Sequence, residues 1–326
     1  MIHTPPRIAR RTLIASLAMS AFVPHAHSQA YPDRPVRVVV AFPPGGPADI
    51  GMRIVADRLA LQLGRNLVID NRPGAGGTIG TELVAAAAPD GYTLLLTGNH
   101  VAIGQALSAA PRYDVVRDFV PVARFGVLPS GLFVEARSPH ATLADLLADV
   151  RKRPDELTYA SGGNGTPSHL AMELLKRRAN LSIRHIPYKG TPPAVTDLIG
   201  GQVNMLFTSI AGPMVQVKSG RLRLLAVSSP RRLAALPDVP SIAELVPGYA
   251  FETWLGVAAP KGTPAGIVTR LSEEIAAALQ DAGVRERMDS AGLTPSFVGP
   301  AELRARVEDE ATQYARIVKD ANIKVD

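Results

Sequence analysis

Short runs of β-branched residues and leucine alternate with helix-like periodicities along most of the chain. "VRVVVAF", Val36–Phe42, is almost continuously apolar, as expected of a strand buried on both faces. It leads into "PADIGMRIVADRLALQL", where Ile50, Ile54, Val55, Leu59 and Leu63 recur at helical spacing. "NLVID", a glycine-rich "NRPGAGGTIG", a helix through Ala88 and the strand "YTLLLT" complete this series. A second series starts near Leu132 with "LFVEA", "TLADLLADVRKR", "LTYASG", "PSHLAMELLKRRA" and "LSIRHIPYKG". It continues through "PPAVTDLIGG", "VNMLFTSI", "GPMVQVKSG" and "LRLLAVS". A proline-spaced stretch then precedes the strand "WLGVAAP" and helices over Pro264–Leu279 and from Pro300 to about Lys319. Such alternation predicts an α/β protein with parallel sheets and helices on their faces.

The pieces after Trp254 follow a finished second series, so they read as completions of the first. This predicts lobe 1 from residues 31–124 plus 254–326 and lobe 2 from 125–253. The chain then crosses between lobes twice, near Ala123–Leu128 and near Tyr249–Trp254, which makes a hinge and a cleft.

The first thirty residues stand apart. Arg7, Arg10 and Arg11 precede the apolar run "TLIASLAMSAFV", too short for a membrane-spanning helix, and "AHSQA" offers small residues for cleavage before Tyr31. This predicts an export signal and a periplasmic protein, by the general secretory or the twin-arginine route. Losing those three arginines takes the formal charge from +6 to +3, so the basic balance says little about nucleic acid. With no cysteine, the chain has no disulfide, no thiolate chemistry and no cysteine-ligated zinc.

Ligands of open α/β sheets sit beyond the carboxyl ends of the strands, where helix N-termini point. "AFPPGGPADI", Ala41–Ile50, is one such turn: Pro47 suits the first helical position, and Gly45 and Gly46 leave the backbone amides uncovered. Free N–H groups at a helix N-terminus form an anion site. Asp49 is a first-turn acid that either caps the turn or accepts a hydrogen bond from a ligand. "SGGNGTPSHL", Ser161–Leu170, repeats the logic in the second series, with Thr166 as cap and Ser161, Asn164 and Ser168 as neutral donors. Neither loop contains lysine or arginine.

Other chemistries fit less well. Gly74, Gly76 and Gly80 suggest a dinucleotide loop, but "YTLLLT" ends without an acid for a ribose, so close packing of helix on sheet is the expected role. Ser161 lacks the G-x-S-x-G elbow, and His100, His140, His169 and His185 lack metal-ligand spacing. A hydrolase or lyase using His169 with Ser161 or Ser168 is the alternative reading. Lys189 is a loop lysine able to meet a carboxylate, and Trp254 is either core or cleft wall.

Together, "AFPPGGPADI", "VIDNRPGAGGTIG", "PDGYTLL", "YDVVRDFVPVA", "SGGNGTPSHLAMELL", "IPYKGTPPAVTDLIGGQVNMLF" and "GTPAGIVTRL" resemble, in order, the Bug receptors. These are the solute-binding proteins of the tripartite tricarboxylate transporter family, and the likeness runs from about Tyr31 to the last helix. The resemblance implies a Venus-flytrap fold and capture, without catalysis or cofactor, of a small carboxylate: a di- or tricarboxylate, an acidic amino acid or an aromatic acid. It also implies a monomer with membrane transporter subunits or a sensor domain as partner, and no nucleic acid. The ligand-facing residues it implies are Phe42, Pro44, Gly45, Gly46 and Asp49 in the first loop. In the second they are Ser161, Gly163, Asn164, Gly165, Thr166 and His169, with Asn99, Ser209 and Trp254 elsewhere. Two departures stand out: Pro47 and Ala48 replace small polar residues of many relatives, and "TGNH", Thr97–His100, is an unusual version of a variable cleft loop.

Overall fold

Two sheets organise the chain, as a computed structural model that describes residues 31–321 and 323 shows. The export signal expected over residues 1–30 lies outside the described residues. The first sheet has the order β11-β4-β10-β3-β1-β2. Its strands are β1 (Val36–Val40), β2 (Leu67–Asn71), β3 (Thr93–Gly98), β4 (Phe119–Leu128), β10 (Thr253–Pro260) and β11 (Thr294–Val298). The second has the order β7-β6-β8-β5-β9. It comprises β5 (Ser130–Glu135), β6 (Thr158–Ser161), β7 (Arg184–Pro187), β8 (Met205–Ser209) and β9 (Leu222–Val227).

The sheets are mixed rather than parallel. β1 runs parallel to β2 and β3, and β6 to β7 and β8, as the strand–helix alternation predicts. β10, however, pairs antiparallel with both β3 and β4. The cause is the double crossing: the chain leaves the first sheet along β4, passes Pro129 directly into β5, and comes back along β10. Two neighbouring strands used for exit and return must run in opposite directions.

Each crossover helix buries one stripe against its sheet. α1 (Pro47–Leu63) buries Met52, Ile54, Val55, Leu59 and Leu63 and ends at Gly64 in the left-handed region. Ile50, expected on that stripe, is exposed. α2 (Thr78–Ala85) stops short of Ala88. Its Gly80 lies where a Cβ would come within 3.0 Å of both Ala41 Cβ and the Arg72 carbonyl, so glycine permits close helix–sheet packing. α3 (Asn99–Leu107) starts immediately after β3, so "TGNH" is a strand end joined to a helix start, not a loop.

The second sheet carries α4 (Leu143–Lys152), α5 (Pro167–Ala179), α6 (Thr191–Ile199) and the short α7 (Met214–Lys218). α8 (Ala265–Ala278) and α10 (Pro300–Asp320) lie close to their expected limits. α9 (Ala282–Ser290) and β11 were not foreseen. α10 packs on α3 and β4 and also touches α5, where Arg177 and Asp320 form an ion pair.

A buried polar network lies at the crossings. Trp254 at the start of β10 is 1% exposed, and its indole N–H donates to both carboxylate oxygens of Glu310, each at 3.0 Å. The Asn99 side-chain amide donates to the Glu252 carbonyl and to the Tyr314 hydroxyl, while its Oδ1 accepts from Trp254 N–H. Arg306 bonds Glu310 and Glu252, and Arg124 of β4 stands 3.8 Å from Glu252. Exit strand, return strand and C-terminal helix are thus tied at one point.

Candidate functional site

The first strand-to-helix turn is held by a carboxylate. Gly45 has φ +80°, a conformation that a Cβ would strain, and Gly46 caps α1 in extended conformation without a side-chain cap. Pro47 occupies the first helical turn, where its missing N–H costs nothing. The Asp49 carboxylate accepts from Gly45 N–H, Arg53 Nε and Asn71 Nδ2, each at 2.9 Å. Asn71 Nδ2 also donates to the Phe42 carbonyl at 3.0 Å, tying the end of β2 to the turn. Burial alone would raise the Asp49 pKa, but the hydrogen bonds from Arg53, Gly45 and Asn71 outweigh it and hold it below its ordinary value. Asp49 is 1% exposed, so its oxygens serve the loop. Of the two roles open to it, closing the turn is the one its hydrogen bonds serve.

The second turn is held by hydroxyls and imidazoles. Thr166 caps α5, accepting from His169 N–H at 3.4 Å and donating to the Gly163 carbonyl at 2.7 Å. The Ser168 hydroxyl accepts from Gly162 N–H at 3.1 Å. Gly163 (φ +132°) and Gly165 (φ +69°) both adopt backbone conformations that favour glycine. Gly165 N–H donates to His169 Nδ1 at 3.1 Å, which puts the imidazole proton on Nε2, 3.9 Å from Glu173. His169 stacks on His185 with ring centroids 3.9 Å apart, and His185 stacks on Tyr159. The Ser161 hydroxyl lies 2.6 Å from His185 Nε2, not from His169. Burial lowers the His169 pKa to about 4, helped by Lys176. Burial, then the neighbouring His169, lowers that of His185 to about 3. Ser161 is wholly buried and its hydroxyl binds the loop, so neither it nor His169 is presented as nucleophile or base.

Both turns reach one cavity of about 160 Å³, lined by Pro47, Leu128, Ser130, Pro167, Ser168, Thr208, Ser209 and Thr253. Pro47 and Pro167 are the first residues of α1 and α5, so two helix N-termini from different sheets meet there. Leu128, Ser130 and Thr253 belong to the crossing strands, which places the cavity at the base of the cleft. None of the eight lining residues is charged.

Of the residues expected to face a ligand, Ser209 lines this cavity, and the two loops flank it. Phe42 is half-buried against the His100 ring, while Pro44 and Asn164 are exposed. Asn99 and Trp254 lie in the buried network at the crossings, 1% exposed and bonded to protein partners, which corrects their expected place at the ligand. Sequence reasoning missed Leu128, Ser130, Thr208 and Thr253. Their only signal was position at the ends of β4, β5, β8 and β10. Among the described residues, no group of three or more His, Asp or Glu could hold a metal ion. Nor is any helix among them long and apolar enough to cross a membrane.

A family model described as "Tripartite tricarboxylate transporter family receptor" matches residues 52–323. Protein BugT of Bordetella pertussis is 37% identical over 312 residues, covering 95% of this chain and 96% of that protein. Among solved structures, the periplasmic binding protein BugD is 35% identical with a TM-score of 0.74, covering 90% of this chain and 99% of its own. A Rhodopseudomonas palustris protein solved with adipate, Rpa4515, is 34% identical with a TM-score of 0.77 over the same shares.

Proposed function

The chain belongs to the tripartite tricarboxylate transporter receptor family, the Bug receptors, and has their two-lobed periplasmic-binding-protein fold; on that premise we propose that it captures a small carboxylate in the periplasm for uptake. The observation that carries this reading is the meeting of Pro47 and Pro167 at one cavity. Beside those prolines, first-turn backbone N–H groups have no intrahelical partner and carry the positive ends of two helix dipoles. A solved relative holds adipate, a dicarboxylate, which supports the ligand class. Membrane transporter subunits are the proposed partners, and a sensor domain is the alternative. The receptor returns its solute unchanged, and calorimetry with small carboxylates, followed by chromatography of the recovered ligand, tests this. Stoichiometric binding with intact ligand is expected; turnover would overturn it.

The anion is held by amides rather than by a fixed charge. At Gly46 a Cβ would meet only the Pro43 carbonyl, at 3.6 Å, and φ is −76°, so a side chain is accommodated. Gly46→Val is therefore expected to fold normally and to weaken binding at least tenfold, about 1.4 kcal/mol. Lys189→Ala, an exposed lysine outside both loops, should weaken it less. Calorimetry showing the reverse order would replace the amide cradle with a salt bridge.

The boundaries expected from the sequence, 124/125 and 253/254, cut β4 and β10; taken at the ends of those strands, the two moving bodies in this reading are residues 31–128 plus 253–321, and 129–252. Small-angle scattering is expected to show a smaller radius of gyration with saturating ligand than without. An unchanged profile would rule out closure.

A further inference from the structure

His185 braces the second anion turn from outside it. It lies on β7 and is not among the residues that line the cavity. The β6–β7 register sets it opposite Tyr159, and Ser161, two residues further along β6, shares that face because side chains alternate along a strand. The ring therefore meets both elements that carry the turn. It stacks on Tyr159 of β6 with centroids 4.7 Å apart and on His169 of α5 at 3.9 Å. Its Nε2 stands 2.6 Å from Ser161 Oγ. The stack is itself fixed: the Tyr159 hydroxyl donates to Glu173 at 2.6 Å, and Lys176 Nζ donates to the same carboxylate oxygen at 2.7 Å. Just past β7, Tyr188 N–H donates to the Ser161 carbonyl at 3.2 Å and Gly190 N–H to the Gly162 carbonyl at 3.1 Å.

Ser161 Oγ joins the ring to the loop. It accepts from Gly163 N–H at 3.1 Å, while the Gly163 carbonyl is already served by Thr166 Oγ1 at 2.7 Å. The Ser161 proton is then free for His185 Nε2, the nearer of its two acceptors. Bracing matters because three of the four residues between Ser161 and Thr166 are glycine, which loses more backbone freedom on ordering than any other residue. A loop that must be ordered by its ligand subtracts that cost from the affinity, whereas one held beforehand does not.

Resting on the receptor reading above, we propose that His185 is a positioning residue for anion capture: without touching the ligand, it holds Ser161–His169 in the binding geometry before the ligand arrives. Its ring supports His169, whose Nδ1 accepts from Gly165 N–H, and its Nε2 fixes Ser161 at the start of the turn. The turn is thus gripped at both ends.

The test pairs His185→Phe, which keeps a flat ring and removes the nitrogen, with Ser161→Ala and the double variant, all in the full purified protein. Calorimetry uses whichever of succinate, malate and adipate the wild type binds most tightly. At a temperature where every variant is folded, His185→Phe is expected to weaken binding about fivefold or more. The double variant should be no more than about twofold weaker than the weaker single, because both changes remove one bond. Hydrogen exchange without ligand should quicken about fivefold or more in peptides covering Ser161–His169 and stay unchanged in β8 and β9. If His185→Phe does not fold, His185→Asn is judged by the same criteria. A variant that loses stability but keeps wild-type affinity and loop exchange would make the histidine merely structural and overturn the proposal. Additive losses in the double variant would remove the Ser161 link on which it rests. Failure of the wild type to bind any of the three acids falls on the receptor reading, and the exchange measurement still decides the role of His185.

Discussion

Trp254→Ala is expected to destabilise the protein by about 3–5 kcal/mol, the usual cost of truncating a fully buried aromatic. The indole is 1% exposed, and both Glu310 oxygens accept its N–H, so truncation leaves a cavity and strips a buried carboxylate of a donor. Burial already pushes the Glu310 pKa up, against the opposing pull of Arg306 and the indole, so losing that donor falls on a group with little solvation to replace it. Trp254→Phe, which keeps most of the volume, should cost about 1–3 kcal/mol, the penalty for an unpaired buried group. Urea denaturation of the three proteins separates the packing and hydrogen-bond contributions. A loss below about 1 kcal/mol for the alanine variant would mean that the network does not hold the crossings.

Acid should weaken the fold before the carboxylates held below their ordinary pKa titrate, with Glu310, whose pKa is raised by burial, opposing part of the loss. His100, His169 and His185 are each buried neutral, with pKa values lowered to about 4, about 4 and about 3 from an ordinary 6.5. Between those values the unfolded chain binds protons that the folded chain refuses. Their contribution is therefore complete above pH 6.5 and is lost as pH falls towards 4. Each such group costs about 1.4 kcal/mol per pH unit inside the window, so three together approach about 4 kcal/mol per unit. Asp49, whose pKa is also lowered, adds loss only below its ordinary 3.8, outside this window. Unfolding free energy measured from pH 7 to 4.5 should fall steeply, and His185→Asn should flatten the slope by about a third. A level profile between pH 7 and 5 would contradict the neutral burial of these rings.

Local pattern was enough for the strand–helix series and for both glycine turns, because each is specified by residues adjacent in sequence: an apolar run, glycines, then proline at the helix start. Ser209 was within reach as the end of an apolar run. Asp49 was ambiguous because its partner Asn71 is chosen by the register of β1 on β2, which a single strand does not reveal, whereas Arg53 lies only one helical turn away. Asn99 and Trp254 were misplaced for the same reason. Their partners, Tyr314 and Glu310, lie in the last helix, so a polar side chain that looks available for a ligand is consumed by a contact far along the chain. "TGNH" looked like a loop because it has a glycine and polar residues; pairing of Thr97 and Gly98 with β10 keeps it extended until the helix begins. The antiparallel members of each sheet follow from the double crossing, a property of connection rather than of composition.

Leu128 and Thr253 are direct pairing partners at the end of the β4–β10 ladder. Topologically, therefore, everything from Pro129 to Glu252 is an insertion into the tip of a β-hairpin. Its two ends emerge side by side, at a spacing that a tight turn would span. The connection works as one broad strap rather than two separate cords. It can bend across its width while resisting shear and twist, because sliding one strand past the other would break the ladder's hydrogen bonds. The β-bulges in that ladder, at Leu255/Gly256 and Val257/Ala258, lie inside the first sheet rather than at its tip. Any bending between the sheets must therefore pass through Pro129, whose carbonyl accepts from Ile210 N–H, and Glu252, whose carbonyl accepts from Asn99, beside the cavity wall formed by Leu128, Ser130 and Thr253.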